Sequence, residues 1–143
     1  MKTIHTKPYK VLLIEDNPGD ARLIRAMLAE KGAPFVLEHV DRLAPALLRL
    51  LEDKFDAVLL DLSLPDAQGL DTFDRTTTLA LNVPIIVLTG FNDETIATEA
   101  IQRGAQDYLI KDNVNGDALV RAIRHAVERH QLVMELQASE SRF

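Results

Sequence analysis

Three runs of consecutive apolar residues, Val11-Leu12-Leu13-Ile14, Ala57-Val58-Leu59-Leu60 and Ile85-Ile86-Val87-Leu88, punctuate the chain, and a shorter one follows at Tyr108-Leu109-Ile110. None alternates with polar residues, so each predicts a short strand covered on both faces. A further run, Phe35–Val40, is interrupted by Glu38 and His39 and suits a sheet edge. Between the strands the apolar spacing turns helical. Asn17 can cap a first helix, Pro18 fits its first turn, Leu23, Ile24, Met27 and Leu28 share its inner face, and Gly32 stops it. A second helix begins at Asp41 with Leu43, Leu47, Leu50 and Leu51 inward, and Pro45 is tolerated in its first turn. The third spans about Leu70–Leu81, against the poor helix propensity of Thr76-Thr77-Thr78. Asn92 or Asp93 caps a fourth, with Ile96, Ala100 and Ile101 inward and Gly104 at its end. A last helix starts near Asn115–Asp117 and runs towards the end of the chain.

Five strands alternating with five helices predict right-handed crossovers and one parallel sheet covered on both faces. The fold class is α/β: a doubly wound (βα)5, flavodoxin-like three-layer sandwich with strand order 2-1-3-4-5 and an extended C-terminal helix. In that order the carboxyl ends of the strands share one edge, where ligands bind in open α/β sheets. Glu15-Asp16 end the first strand, Asp61 the third, Thr89 the fourth and Lys111 the fifth. On its own Asp61 reads as a turn residue ahead of Pro65, Asp66 and Gly69. In this company it reads as chemistry.

Three carboxylates in one small site repel one another and call for a cation. With all-oxygen ligands and no cysteine, the set suits a hard ion such as Mg2+. Lys111 adds a point charge and Thr89 a hydroxyl donor. Such a site fits an acyl phosphate, with Asp61 attacking phosphorus while Mg2+, Lys111 and Thr89 hold the equatorial oxygens. A carboxylate needs no general base, being ionised at neutral pH.

Composition narrows the classes. A chain of 143 residues suits one domain with a modest extension, and 47% apolar residues are enough for a real core. A net charge of −6 argues against non-specific nucleic-acid binding. There is no cysteine for a disulfide or thiolate site. No apolar run approaches the roughly 20 residues that cross a bilayer, and MKTIHTKPYK has no signal-peptide core. A cytoplasmic protein with no membrane and no nucleic-acid partner is expected. His5, His39, His125 and His130 lack metal-ligand spacing and read as surface or packing residues. Arg121, Arg124 and Arg129 read as a solvated helix face.

The ordered motifs Glu15-Asp16, Asp61-Leu62-Ser63-Leu64-Pro65 with Gly69, Thr89-Gly90, and Tyr108 three residues before Lys111 resemble the receiver domains of two-component response regulators. The resemblance covers about residues 10–127, leaving a tail at 1–9 and a helical linker or signalling helix at 128–143. It implies that Asp61 is the phosphoacceptor, loaded from a histidine kinase or phosphotransfer protein. It further implies that Glu15, Asp16, Asp61 and the backbone carbonyl of Ser63 hold Mg2+. Thr89 and Tyr108 would be the switch pair, remodelling the face of the fourth helix, fifth strand and fifth helix by population shift. Gly90 would keep the approach to Asp61 open, and Ser63 and Phe91 would tune the phosphoryl lifetime. Self-catalysed phosphorylation and dephosphorylation, without turnover of an external substrate, are expected.

One departure is Asp112, where the family usually has proline after the lysine, often in a cis peptide. A cis bond before another residue costs about 3 kcal/mol, so a different loop is expected here. Among rival functions, a haloacid-dehalogenase-like phosphotransferase would want a second aspartate where Ser63 stands. A flavin-binding domain would want a Ser/Thr/Gly-rich loop where Asn17-Pro18-Gly19-Asp20 stands. A phosphorylation-independent binding module would have no need of the full polar set. The last helix outruns the sheet, and Ile123, Val127, His130, Met134 and Gln137 make a coiled-coil seam that predicts a homodimer. Residues 138–143 resemble a linker into a PAS sensor domain, and the expectation that follows is that this chain is the front piece of a larger regulator.

Overall fold

The apolar runs form the central strands because only a parallel sheet covered on both faces buries every side chain of such a run. The computed structural model describes residues 8–30, 34–80, 82–90 and 93–140. In chain order the elements are β1 (Tyr9–Ile14), α1 (Pro18–Glu30), β2 (Phe35–Val40), α2 (Leu43–Glu52), β3 (Ala57–Asp61), β4 (Ser63–Leu64), β5 (Ala67–Gln68), α3 (Gly69–Leu79), β6 (Ile85–Thr89), α4 (Glu94–Gln102), β7 (Asp107–Ile110) and α5 (Gly116–Glu140). The main sheet runs β2-β1-β3-β6-β7, all parallel. This is the expected 2-1-3-4-5 order of a flavodoxin-like sandwich. A two-stranded hairpin, β4–β5, stands where the sequence pattern suggested only a loop.

Alternate residues of each strand feed opposite layers. Val11, Leu13, Ala57, Leu59, Ile86 and Leu88 pack with α1 and α5. Leu12, Ile14, Val58, Leu60, Ile85 and Val87 pack with α2, α3 and α4. Small residues let the helices approach closely, so several expected core positions shift by a residue or more. Ala21 is buried on α1 while Leu23 is 51% exposed, Ala46 is buried on α2 while Leu51 is 66% exposed, and Ala97 is buried on α4 while Ile101 faces out. Gly32 and Asn92 lie outside the described residues. Gly104 closes α4 with φ 119, and Gly69 opens α3 with φ 64, conformations that only glycine adopts without strain.

The threonine run holds helix because its hydroxyls bond back to the preceding turn. Thr76 Oγ1 donates to the Thr72 carbonyl at 2.8 Å, and Thr77 and Thr78 both donate to that of Asp74 at 2.9 Å. The second helix begins at Leu43, not at Asp41, and its own N-cap, Arg42, makes no side-chain cap. The cap comes from the β4–β5 turn instead: the Asp66 carboxylate accepts from the backbone N–H groups of Leu43 (2.8 Å) and Ala44 (2.9 Å). The loop after Asp61 is thereby pinned to α2. No peptide among the described residues is cis, so Lys111–Asp112 is trans.

The 25 residues of α5 extend about 37 Å. Ile123 and Val127 are buried against the chain's own sheet, while Leu132, Val133 and Leu136 are exposed. The expected seam is therefore half used within the domain, and the free apolar face lies on Leu132, Val133 and Leu136.

Removing the remote cap with Asp66→Ala should destabilise the fold by about 1 kcal/mol in urea unfolding, the scale of a lost N-cap. Burial works to raise the Asp66 carboxyl, but the two N–H groups hold it below the ordinary range. A depressed carboxyl stabilises above its unfolded value, about 3.9, and loses that contribution as pH falls through the folded value. The parent and Asp66→Ala stability curves should therefore converge in acid.

Candidate functional site

The strand ends bring the predicted polar set together at the carboxyl edge of the sheet. Glu15 follows β1 and is fully buried, Asp61 ends β3 at 4% exposure, and Thr89 ends β6 at 2%. Carboxylate oxygens of Glu15, Asp16 and Asp61 lie within 4.8 Å of one another. Asp16 is exposed, so the group opens to solvent on one side. Lys111, just past β7, reaches across. Its Nζ lies 3.2 Å from Glu15 Oε1, 3.2 Å from Asp61 Oδ2 and 3.1 Å from Asp20 Oδ2. The three N–H groups of the ammonium thus meet three carboxylates.

Burial and charge set the protonation of this group. Glu15 is pushed up to about 8, first by burial and then by its contact with Asp61. Burial alone would lower Lys111, but Asp61, Asp20 and Glu15 together raise it above the ordinary lysine range. An all-oxygen trio with one buried member resisting ionisation is a donor set that a hard divalent cation fits, since the cation supplies the compensation that burial withholds.

Backbone contacts fix two members of the trio, Glu15 and Asp61. The Asn17 N–H donates to Glu15 Oε2 at 3.2 Å, and the Ser63 N–H donates to Asp61 Oδ1 at 2.9 Å. Beside Asp61 lies a cavity of about 140 Å3, lined by Ser63, Gln68, Thr89, Asp93 and Ile96 among others. The Thr89 hydroxyl is buried without a hydrogen-bond partner. A buried hydroxyl without a partner costs stability, and this one belongs to a residue that lines the cavity. A Cβ on Gly90 would meet Asp93 Oδ2 at 3.7 Å, an ordinary contact, so space alone does not demand glycine there.

Tyr108 sits apart from the carboxylates. It pairs in register with Val87, two residues before Thr89, and packs half-buried against the core on the α2–α4 side. Phe91 lies outside the described residues, as does His5. His125 is exposed and His130 half-buried on α5.

Two contacts were not legible in the sequence. Asp20 read only as part of the capping turn, yet it shares Lys111. His39 read as a surface or packing residue, yet its Nε2 lies 2.7 Å from the Glu15 carbonyl oxygen. Its place beside the acidic pair follows from the β1–β2 register, in which Ile14 pairs with Val40, and no spacing motif announces that.

Residues 11–124 match the family model described as the response regulator receiver domain. The methanogenesis regulatory protein FilR1 of Methanothrix harundinacea is 36% identical over 108 residues, which are 73% of this chain and 24% of that protein. The transcriptional regulatory protein KdpE of Mycobacterium tuberculosis is 34% identical over 127 residues, 89% of this chain and 54% of that protein. The chain therefore spans between about a quarter and a half of the length of these relatives. Among solved structures, a response regulator receiver domain protein from Clostridium thermocellum superposes with a TM-score of 0.77 at 27% identity, covering 87% of this chain and 98% of that one. Full-length FixJ from B. japonicum shares the fold, with a TM-score of 0.81 at 24% identity over 93% of this chain and 64% of that one.

The raised Glu15 carboxyl makes a signed prediction for the metal-free protein. Unfolded glutamate ionises near 4.3, so between that value and about 8 the folded state holds the extra proton and stability falls as pH rises. Glu15→Gln should flatten this dependence and raise stability by about 1 kcal/mol above the Glu15 value, in thermal melts with a chelator. The same substitution should weaken Mg2+ binding in calorimetry.

Proposed function

The chain belongs to the response regulator receiver domains, and from that premise we propose that Asp61 takes a phosphoryl group from a phosphohistidine on a histidine kinase or phosphotransfer protein, in the cytoplasm. The observation that carries this reading is the buried Asp61 carboxylate, fixed by the Ser63 N–H and Lys111 beside a cavity lined by Thr89, whose buried hydroxyl has no partner.

In the transfer, Asp61 Oδ forms a bond to phosphorus as the phosphorus–nitrogen bond breaks, and the electron pair leaves with the partner's imidazole. A carboxylate nucleophile surrenders no proton in this step. Formation of the acyl phosphate removes the carboxylate charge and frees the Lys111 N–H that had bonded Asp61 Oδ2, which then serves a phosphoryl oxygen. Thr89 donates its hydroxyl to another oxygen. Glu15, Asp16, Asp61 and the Ser63 carbonyl would hold Mg2+, which supplies charge to neutralise the phosphoryl oxygens when bound.

Movement of Thr89 towards the phosphoryl group vacates space beside β6, and Tyr108 turns inward to fill it. The rearrangement is stabilised because only the closed arrangement satisfies the added charge and acceptors. The changed face is that of α4, β7 and α5, and α5 carries the change to an attached or partner output. A homodimer through α5 would meet on Leu132, Val133 and Leu136. The site acts on itself and turns over no external substrate. Against a haloacid-dehalogenase-like phosphotransferase stands Ser63, where that chemistry needs an acid.

Intact mass after incubation with Mg2+ and a phosphoramidate should rise by one phosphoryl group, and Asp61→Asn should abolish the gain. Thr89→Ala should retain the gain yet weaken the conformational response, seen in amide exchange of α4 and β7. An unchanged mass with both a small donor and a histidine kinase would move the function to a phosphorylation-independent binding module. Leu132→Glu with Leu136→Glu should shift a dimer to monomer in sedimentation. A monomeric parent, phosphorylated or not, would remove the dimer.

A further inference from the structure

A parallel ladder spaces its rungs evenly, and each carbonyl on one strand takes an N–H from its neighbour. The Glu15 N–H donates to the Val40 carbonyl at 3.1 Å, the last backbone rung between the first strand's end and β2. Beyond Val40 the backbone bends away through Asp41 and Arg42 into α2, which is capped by Asp66 from another loop. The next rung would have come from that departing segment. The Glu15 carbonyl instead meets the imidazole of His39, with Nε2 at 2.7 Å. A carbonyl oxygen can only accept, so His39 carries its proton on Nε2 and donates.

His39 faces the same side of the sheet as Phe35 and Leu37, which pack on the α1 and α5 layer, and it is half-buried. Both backbone polar groups of Glu15 are therefore tied to β2, the N–H by Val40 and the carbonyl by this ring. The peptide that carries the Glu15 carbonyl leads directly into Asp16, and the Glu15 side chain is itself held by the Asn17 N–H. Lys111 also bonds the Glu15 carboxyl group, but among these contacts only His39 holds the Glu15 backbone through a replaceable side chain.

We infer that His39 is a positioning residue for the cation site: its Nε2–H supplies the ladder rung that the backbone abandons and so holds the Glu15 peptide in the orientation that presents Glu15 and Asp16 to a divalent cation. The inference rests on the cation-binding role proposed above for the acidic trio. It gives His39 no contact with the cation itself. Partners of this kind, one bond removed from the ligands, orient the ligand set and raise metal affinity.

The test is Mg2+ calorimetry on the full chain, comparing the parent with His39→Phe, which keeps a ring without a donor, and His39→Gln, which keeps a donor. His39→Phe should weaken Mg2+ binding by about threefold to tenfold, the scale of one hydrogen bond, and His39→Gln should recover part of the loss. A thermal melt with a chelator separates this from general destabilisation, because a purely structural role would lower the melting point and leave Mg2+ affinity unchanged in the folded protein. Should His39→Phe fail to fold, long-range proton–nitrogen spectra of the parent read the ring directly. They should show the Nε2-protonated tautomer, with its resonance moving on Mg2+ addition. Parent-like affinity in a folded His39→Phe, or an Nδ1-protonated ring, would overturn the inference. A parent that binds no Mg2+ would remove the cation site and this inference together, whereas a parent that binds with His39→Phe its equal would remove this inference alone.

Discussion

One ammonium holds the carboxyl edge of the sheet together. Lys111 lies within 3.2 Å of carboxylates on Glu15, Asp20 and Asp61, which arrive from the end of β1, from α1 and from β3. Without that charge the edge would collect like charges in a partly buried site, where repulsion is strong. The strands cannot relieve it by sliding, because a one-residue slip would turn every core side chain to the wrong layer. The fold therefore imposes the electrostatic problem, and Lys111 is its answer; the proposed divalent cation and phosphoryl group would be accommodated at the same edge.

The same constraint explains why the surrounding loops are tied so firmly. Asp61 is oriented by the N–H of Ser63, and the turn that follows is pinned to α2 through Asp66. Glu15 is oriented by Asn17 and by the ring of His39. Fixed dipoles around charged groups spare the site reorganisation during reaction. One side chain at this edge stands outside these restraints, its buried hydroxyl without a partner. It is Thr89, at the position where a new acceptor would enter.

Much of this was legible in the sequence because it depends on periodicity. The unbroken runs at Val11–Ile14, Ala57–Leu60 and Ile85–Leu88 admit little besides buried parallel strands, and the residue following each run is placed at the edge by that fact alone. Asp61, Thr89 and Lys111 were readable for this reason. Features that depend on how separate elements meet were not. Asp66 caps a helix more than twenty residues earlier in the chain, Asp20 reaches a lysine far along it, and His39 is placed by strand register. Helix faces were predicted one alanine wide of the mark, since large residues such as Leu23 and Leu51 satisfy a periodic pattern equally well whether they pack or face solvent. The threonines of α3 formed helix by bonding back to the preceding turn, which propensity does not count.

The central claim is that Asp61, Lys111 and Thr89 form a receptor for a phosphoryl group that depends on a divalent cation at the acidic trio. Fluorine NMR with beryllium fluoride, a tetrahedral phosphoryl mimic that bonds a carboxylate, tests it most directly. Bound fluorine resonances should appear that require Mg2+, disappear in Asp61→Asn and accompany shifts at Thr89 and Tyr108. Bound resonances that persist without Mg2+ or in Asp61→Asn, or no binding at all, would contradict it.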